Sequence, residues 1–107
     1  MARDSWYAES TGSSTKTTTS YDDKVSLTLT AAQQTASTVY YVIASCIVRN
    51  QTNTTADVRV RLRNDTGSAD LGEARYEMQD ATNYQPAMFL ATFTSAGTPV
   101  DQTWSLE

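Results

Sequence analysis

The sequence predicts an all-β fold: a single antiparallel β-sandwich, jelly-roll-like in build, with a flexible N-terminal arm. Three observations lead there. The 107 residues include 18 Thr and 11 Ser but only four Gly and two Pro, and β-branched Thr suits a half-buried pleated surface. Apolar and polar residues alternate with a period of two in several short runs, the mark of a strand with one face covered. No stretch has the period of an amphipathic helix. The length fits one domain, divided into an arm over residues 1–20 and a sandwich over 21–107.

The elements follow in order. Ser5-Trp6-Tyr7-Ala8 places two aromatics side by side, which suggests a short anchoring strand. Eight of residues 11–20 are Ser or Thr, too polar to offset their ordering entropy alone. That segment is expected to be mobile until a neighbour orders it. Val25, Leu27 and Leu29 alternate with polar residues, and Ala31 to Ser37 reads as a loop or one helical turn. Thr38 to Asn50 is the strongest strand. Tyr41, Ile43 and Ile47 occupy one parity, and Tyr40, Val42, Cys46 and Val48 the other. A strand apolar on both sides is covered on both sides, by the second sheet and by a loop, the arm or a neighbouring subunit. Val58, Val60 and Leu62 alternate with three arginines. A turn or loop spans Asp65 to Gly72, and Glu73 to Met78 is again strand. A loop through Asn83 and Gln85 leads to Pro86. Met88 to Thr94 and Gln102 to Glu107 complete six strands, at spacings typical of a sandwich.

Composition excludes several functions. The net charge is −4 and cations do not cluster, against nucleic-acid binding and against a polybasic membrane anchor. The longest apolar run, Val39 to Val48, is about half of the ~20 residues that cross a bilayer. The N-terminus lacks a hydrophobic signal region, so the mature chain is expected to start near Met1. There is no histidine and one cysteine. Cys46 is read as a small buried hydrophobe, since a nucleophilic thiolate needs a nearby base. No catalytic group, metal site or cofactor is expected.

The arginine stripe is the most distinctive feature. If residues 58–63 and 73–78 form a hairpin, parity puts Val58, Val60 and Leu62 on one face with Ala74, Tyr76 and Met78. One such register pairs Arg63 with Glu73, Arg61 with Arg75 and Arg59 with Glu77. Its outer face is either a solvated charge ladder or a basic patch for an acidic partner surface. In that register Arg61 has the poorest internal partner, so docking falls first to Arg61, while Arg63 belongs to the ladder. Arg59, Arg61, Arg63 and Arg75, with Trp6 and Tyr7 of the arm and the loop aromatic Tyr84, are the candidate partner contacts. The scattered carboxylates form no glycosidase pair or EF-hand loop. Three sequons, starting at Asn50, Asn53 and Asn64, read as polar turn residues.

The long apolar strand in Thr38 to Gly67, its run Ala56-Asp57-Val58-Arg59-Val60-Arg61 and the following turn, with Tyr76-Glu77-Met78-Gln79-Asp80, resemble small β-sandwich virion proteins of tailed phages. The resemblance is to the capsid decoration (cement) and head-fibre types. It covers most of the chain after residue 24, without a signature motif. It implies a non-enzymatic virion protein on the capsid surface, bound to the major capsid protein or another virion protein and homo-oligomeric, with a trimer favoured. A tail- or fibre-associated module that binds carbohydrate or a receptor is the alternative, and its hallmark would be a coplanar row of exposed aromatics.

Overall fold

The computed structural model describes residues 5–12, 21, 23–50, 56–78 and 83–107. Six antiparallel strands form two packed sheets, so the chain is an all-β sandwich. The strands are β1 (Val25–Leu29), β2 (Val39–Arg49), β3 (Ala56–Asn64), β4 (Ala69–Met78), β5 (Tyr84–Thr94) and β6 (Gln102–Leu106). One sheet has the order β1-β6-β3-β4, and the other is β2 paired with β5 alone. The possible helical turn is present as a short 3-10 turn, Ala31–Gln33. Residues 5–11 are in no strand, so the short N-terminal strand expected there does not form. Residues 1–4 and 13–20, most of the expected arm, lie outside the described residues.

The strands follow the alternation of the sequence. Leu29 of β1, Val60 and Leu62 of β3, Met78 of β4 and Trp104 and Leu106 of β6 point inward and are buried. Ala87 and Phe89 of β5 meet them from the other sheet. Tyr40, Val42, Ala44, Cys46 and Val48 of β2 pack on the same core. An aromatic row crosses the interior. Trp6 lies 6.2 Å from Tyr40, Tyr40 lies 6.2 Å from Phe93, and Phe93 meets the edge of Trp104 at 5.3 Å. Edge-on and offset contacts of this kind suit the ring quadrupoles.

β6 joins the larger sheet together. It pairs with β1 along five residues and with β3 from Leu62 to Asn64. Backbone bonds in both directions between Arg61 and Glu107, each 2.9 Å, extend the β3 contact. On its outer face Ser105 meets Ser26 at 2.8 Å and Thr103 meets Thr28 at 2.8 Å. The Thr and Ser of this sheet thus serve as cross-strand hydroxyl pairs.

Two strand limits differ from expectation. β5 begins at Tyr84 and runs through Pro86, where a loop was expected. Proline is tolerated because, among the described residues, β5 has β2 as its one hydrogen-bonded neighbour and its other edge needs no donor. β4 begins at Ala69, because the chain reverses within residues 65–68. Asn64 Oδ1 accepts from Gly67 N at 2.9 Å and Ser68 takes a positive φ of 52°, a local side-chain bond that closes the turn early.

Gly72 stands under the core. A Cβ built there would lie 2.7 Å from a Phe89 ring carbon. Gly72→Ala is therefore expected to lower unfolding free energy by about 1–3 kcal/mol in urea titrations. Gly97→Ala, with nothing within 4 Å, should stay within about 0.5 kcal/mol. Equal effects at the two positions would mean that the approach of Phe89 to β4 is wrong.

Candidate functional site

The arginine face has a different register from the one expected. Val58 pairs with Tyr76 and Val60 with Ala74, so the shared parity holds. The outer pairs are Arg61 with Glu73, Arg59 with Arg75 and Asp57 with Glu77. Arg63 faces Asp70 across an irregularity between Leu62 and Arg63. The early turn and this bulge move the pairing by two residues. The expected pairs Arg63–Glu73, Arg61–Arg75 and Arg59–Glu77 do not form.

The correction reverses the role of Arg61, which has the richest internal partnership of the four arginines. Its Nε donates to Glu107 Oε2 at 2.5 Å, and its Nη1 to Asp70 Oδ2 at 3.3 Å. Its guanidinium carbon sits 3.9 Å from the centre of the Tyr21 ring, a cation–π distance. The bond to Glu107 pushes the Arg61 pKa further up from its ordinary value, against the opposing effect of desolvation. Arg63 donates to Asp70 at 2.7 Å and approaches Asp65 at 3.8 Å. Arg75 bonds Asp57, and Arg59 reaches the same carboxylate oxygen at 3.9 Å. Four acids that the sequence did not bring to this face, Asp57, Asp65, Asp70 and Glu107, supply the charge. Arg59 is the arginine with the poorest internal partner. It stands opposite Arg75 and shares Asp57 with it.

Ligand oxygens of Asp23, Asp65 and Glu107 lie within 4.8 Å of one another. The chain's own groups account for two of the three. Ser105 donates to Asp65, and Arg61 binds Glu107. The inward thiol of Cys46 has a pKa raised by burial, which keeps it protonated at neutral pH and fits a packing role.

Among the described residues, the outer face of β2 and β5 breaks the polar pattern. Going along the paired strands, the outward residues are Val39 with Thr94, Tyr41 with Thr92 and Ile43 with Leu90. Ser45 with Met88, Ile47 with Pro86 and Arg49 with Tyr84 follow. Tyr41 is 73 % exposed, Ile43 69 %, Ile47 70 %, Met88 76 % and Leu90 68 %. Scattered exposed hydrophobics are ordinary, whereas a contiguous patch marks an interaction surface. The strands are eleven residues long, and among the described residues each has only the other as a partner. The sequence showed the β2 half, because both parities of Thr38 to Asn50 are apolar. The β5 half was missed, because only Phe89, Ala91 and Phe93 were read there. Met88 and Leu90, on the opposite parity, were the available signal.

The described part of the arm does not cover this face. Trp6 is half-buried on Tyr40, which points inward, and Tyr7 is 83 % exposed. Tyr84 is exposed, with the Arg49 guanidinium 5.3 Å from its ring centre. It is the first residue of β5 and not a loop residue. Tyr41 and Tyr84 share the open face but stand eight residues apart in the ladder, on the order of 27 Å at strand rise, so they form no aromatic row. Beside β2, Trp6, Leu27, Leu29, Tyr40, Val42 and Trp104 line a hollow of about 480 Å³. It lies where two strands fail to span a sheet of four.

Two outcomes test the arginine face. Arg61→Glu should lower Tm clearly, since it sets a carboxylate against Glu107 and Asp70, while Arg59→Glu should change Tm little. The reverse order by differential scanning fluorimetry would reject the network. The second is acid dependence. Arg63 beside Asp70 holds that carboxyl below its usual value, with Arg61 adding to the effect. A carboxylate with a depressed folded pKa stabilises above its unfolded pKa, and this is lost as pH falls through the folded value. The Tm difference between wild type and Asp70→Asn should be full above about pH 5 and shrink steadily as pH falls below the ordinary Asp value of about 3.9. A difference constant with pH would show that the charge of Asp70 is idle. Compared with family models, with curated proteins and with solved structures, the chain matches none.

Proposed function

We propose that this chain is a non-enzymatic structural protein that works by assembly with other protein surfaces. Within that reading, the sequence resemblance favours a capsid decoration protein, bound on the capsid surface to the major capsid protein and stabilising its lattice. The observation that carries the assembly reading is the open β2–β5 face. The other sheet covers its outer side with Ser, Thr, Arg, Asp and Glu, as a solvated surface requires. The β2–β5 pair repeats core-like residues on both sides, which suits a sheet with protein on each side. The neutralised arginine ladder moves weight away from docking by a basic patch. Arg59, which shares its carboxylate with Arg75, and exposed Tyr7 remain available as secondary contacts.

The test is co-sedimentation of the purified chain with capsids that lack it, followed by heating of the particles. Wild-type chain should pellet with the capsids and raise their disruption temperature. Ile43→Asp, a change at an exposed position, should leave the domain folded and weaken attachment by about tenfold or more, as loss of an interface anchor does. Wild-type chain that stays in the supernatant at every ratio would reject the capsid setting. Undiminished attachment of Ile43→Asp would show that attachment does not depend on this face.

A further inference from the structure

We propose that the open β2–β5 face pairs with the same face of a second copy, around a two-fold axis that runs parallel to the strands and between them. The proposal rests on the reading of this face as an assembly surface, and not on the capsid as its setting.

The first support is area. Val39, Tyr41, Ile43, Ile47, Tyr84, Met88 and Leu90 are all more than half exposed. Together they offer on the order of 800 Å², what each partner of a standard interface buries. The second is charge. Among the outward residues of β2 and β5 only Arg49 is charged, so the face has nothing to select a partner of opposite sign. A second copy is also the one partner supplied in equal amount wherever the chain is made.

The third support is shape, and it fixes the axis. Rotation about a line between the strands lays β2 of one copy over β5 of the other. Each outward residue then faces the equivalent of its own cross-strand neighbour. Ser45 faces Met88 of the second copy, and Tyr41 faces Thr92 of the second copy. Large stands over small at both levels, in the manner of interdigitating core layers. Ile43 meets Leu90 of the second copy, two apolar residues of similar volume. Arg49 comes over Tyr84 of the second copy, so the cation–π pairing seen within the chain at 5.3 Å is available between copies. An axis across the strands at their midpoint would instead press Arg49 on Val39, Tyr41 on Ile47 and Leu90 on Met88, large on large at two levels and without the Arg49–Tyr84 pairing. Face-to-face sheets pack about 10 Å apart with strands within about 30°, which this arrangement permits. The assembly is a dimer, since an isologous face closes at two copies. It differs from the trimer that the sequence resemblance favoured.

The experiment uses the full chain without capsids, with mass measured by light scattering after size exclusion and folding checked by circular dichroism. Wild type should be a dimer. Ser45→Met sets two large side chains against each other, and Met88→Ser sets two small ones. Each should raise the dimer Kd about tenfold or more. The Ser45→Met, Met88→Ser double variant exchanges large and small and should return within about threefold of wild type. Ile43→Asp should be a folded monomer. A wild-type monomer at about 100 μM, or a trimer or larger ring, would overturn the proposal. So would a double variant weaker than either single one, which would rule out this axis. A dimer that does not sediment with capsids would support the pairing and reject the capsid setting, so the two readings fail separately.

Discussion

The interior of this chain is closed by a two-stranded sheet laid over a four-stranded one, and much of the rest depends on that mismatch in width. Neighbouring strands sit about 4.8 Å apart, so β2 and β5 can cover only part of the inner face of β1-β6-β3-β4. The aromatic row answers part of the deficit. Phe89 and Phe93 reach across from β5, Tyr40 extends from β2, and Trp6 stands at the margin from outside the strands. Where this supply ends, the hollow above Leu27 and Leu29 begins. Trp104 lines it and keeps an indole N–H without an acceptor among the described residues.

Much of the fold was legible in the sequence because alternation is a local signal. Val25, Leu27 and Leu29, or Val58, Val60 and Leu62, announce a strand and its inward face without reference to the rest of the chain. Partition between sheets was not legible, because nothing in the β2 sequence says that β5 is its neighbour. Pro86 was read as a boundary, and a proline looks the same before a strand as on its free edge. The hairpin register failed for two local reasons: a turn closed by the Asn64 side chain and a bulge after Leu62.

The arginine face shows the limit most clearly. Sequence parity put Arg59, Arg61 and Arg63 together correctly, but their partners come from elsewhere in the chain. Glu107 is 46 residues from Arg61 and arrives because β6 pairs with β3. Asp70 arrives because the turn is short. A residue that looked exposed and short of partners is tied into the larger sheet. The apolar face was half legible for the opposite reason. A two-sided apolar strand states that its second side is covered, and leaves the cover unnamed.

That two-sidedness also bears on how the strands find their alignment. In a sheet with one polar face, a slip by one residue turns every apolar side chain to water, and burial alone rejects it. β2 and β5 lack this safeguard, since either parity of either strand could serve as the inner one. Their alignment must be pinned at the ends. At one end Ser95, only 4 % exposed, donates to Thr35 O at 2.5 Å and accepts from Thr38 N at 2.9 Å. At the other, buried Asn50 donates to Met78 O at 3.5 Å. These polar clamps, together with the fit of Phe89 over Gly72, give the pairing a single frame. In their absence the same eleven-residue strands would have several competing alignments, each nearly as apolar as the native one.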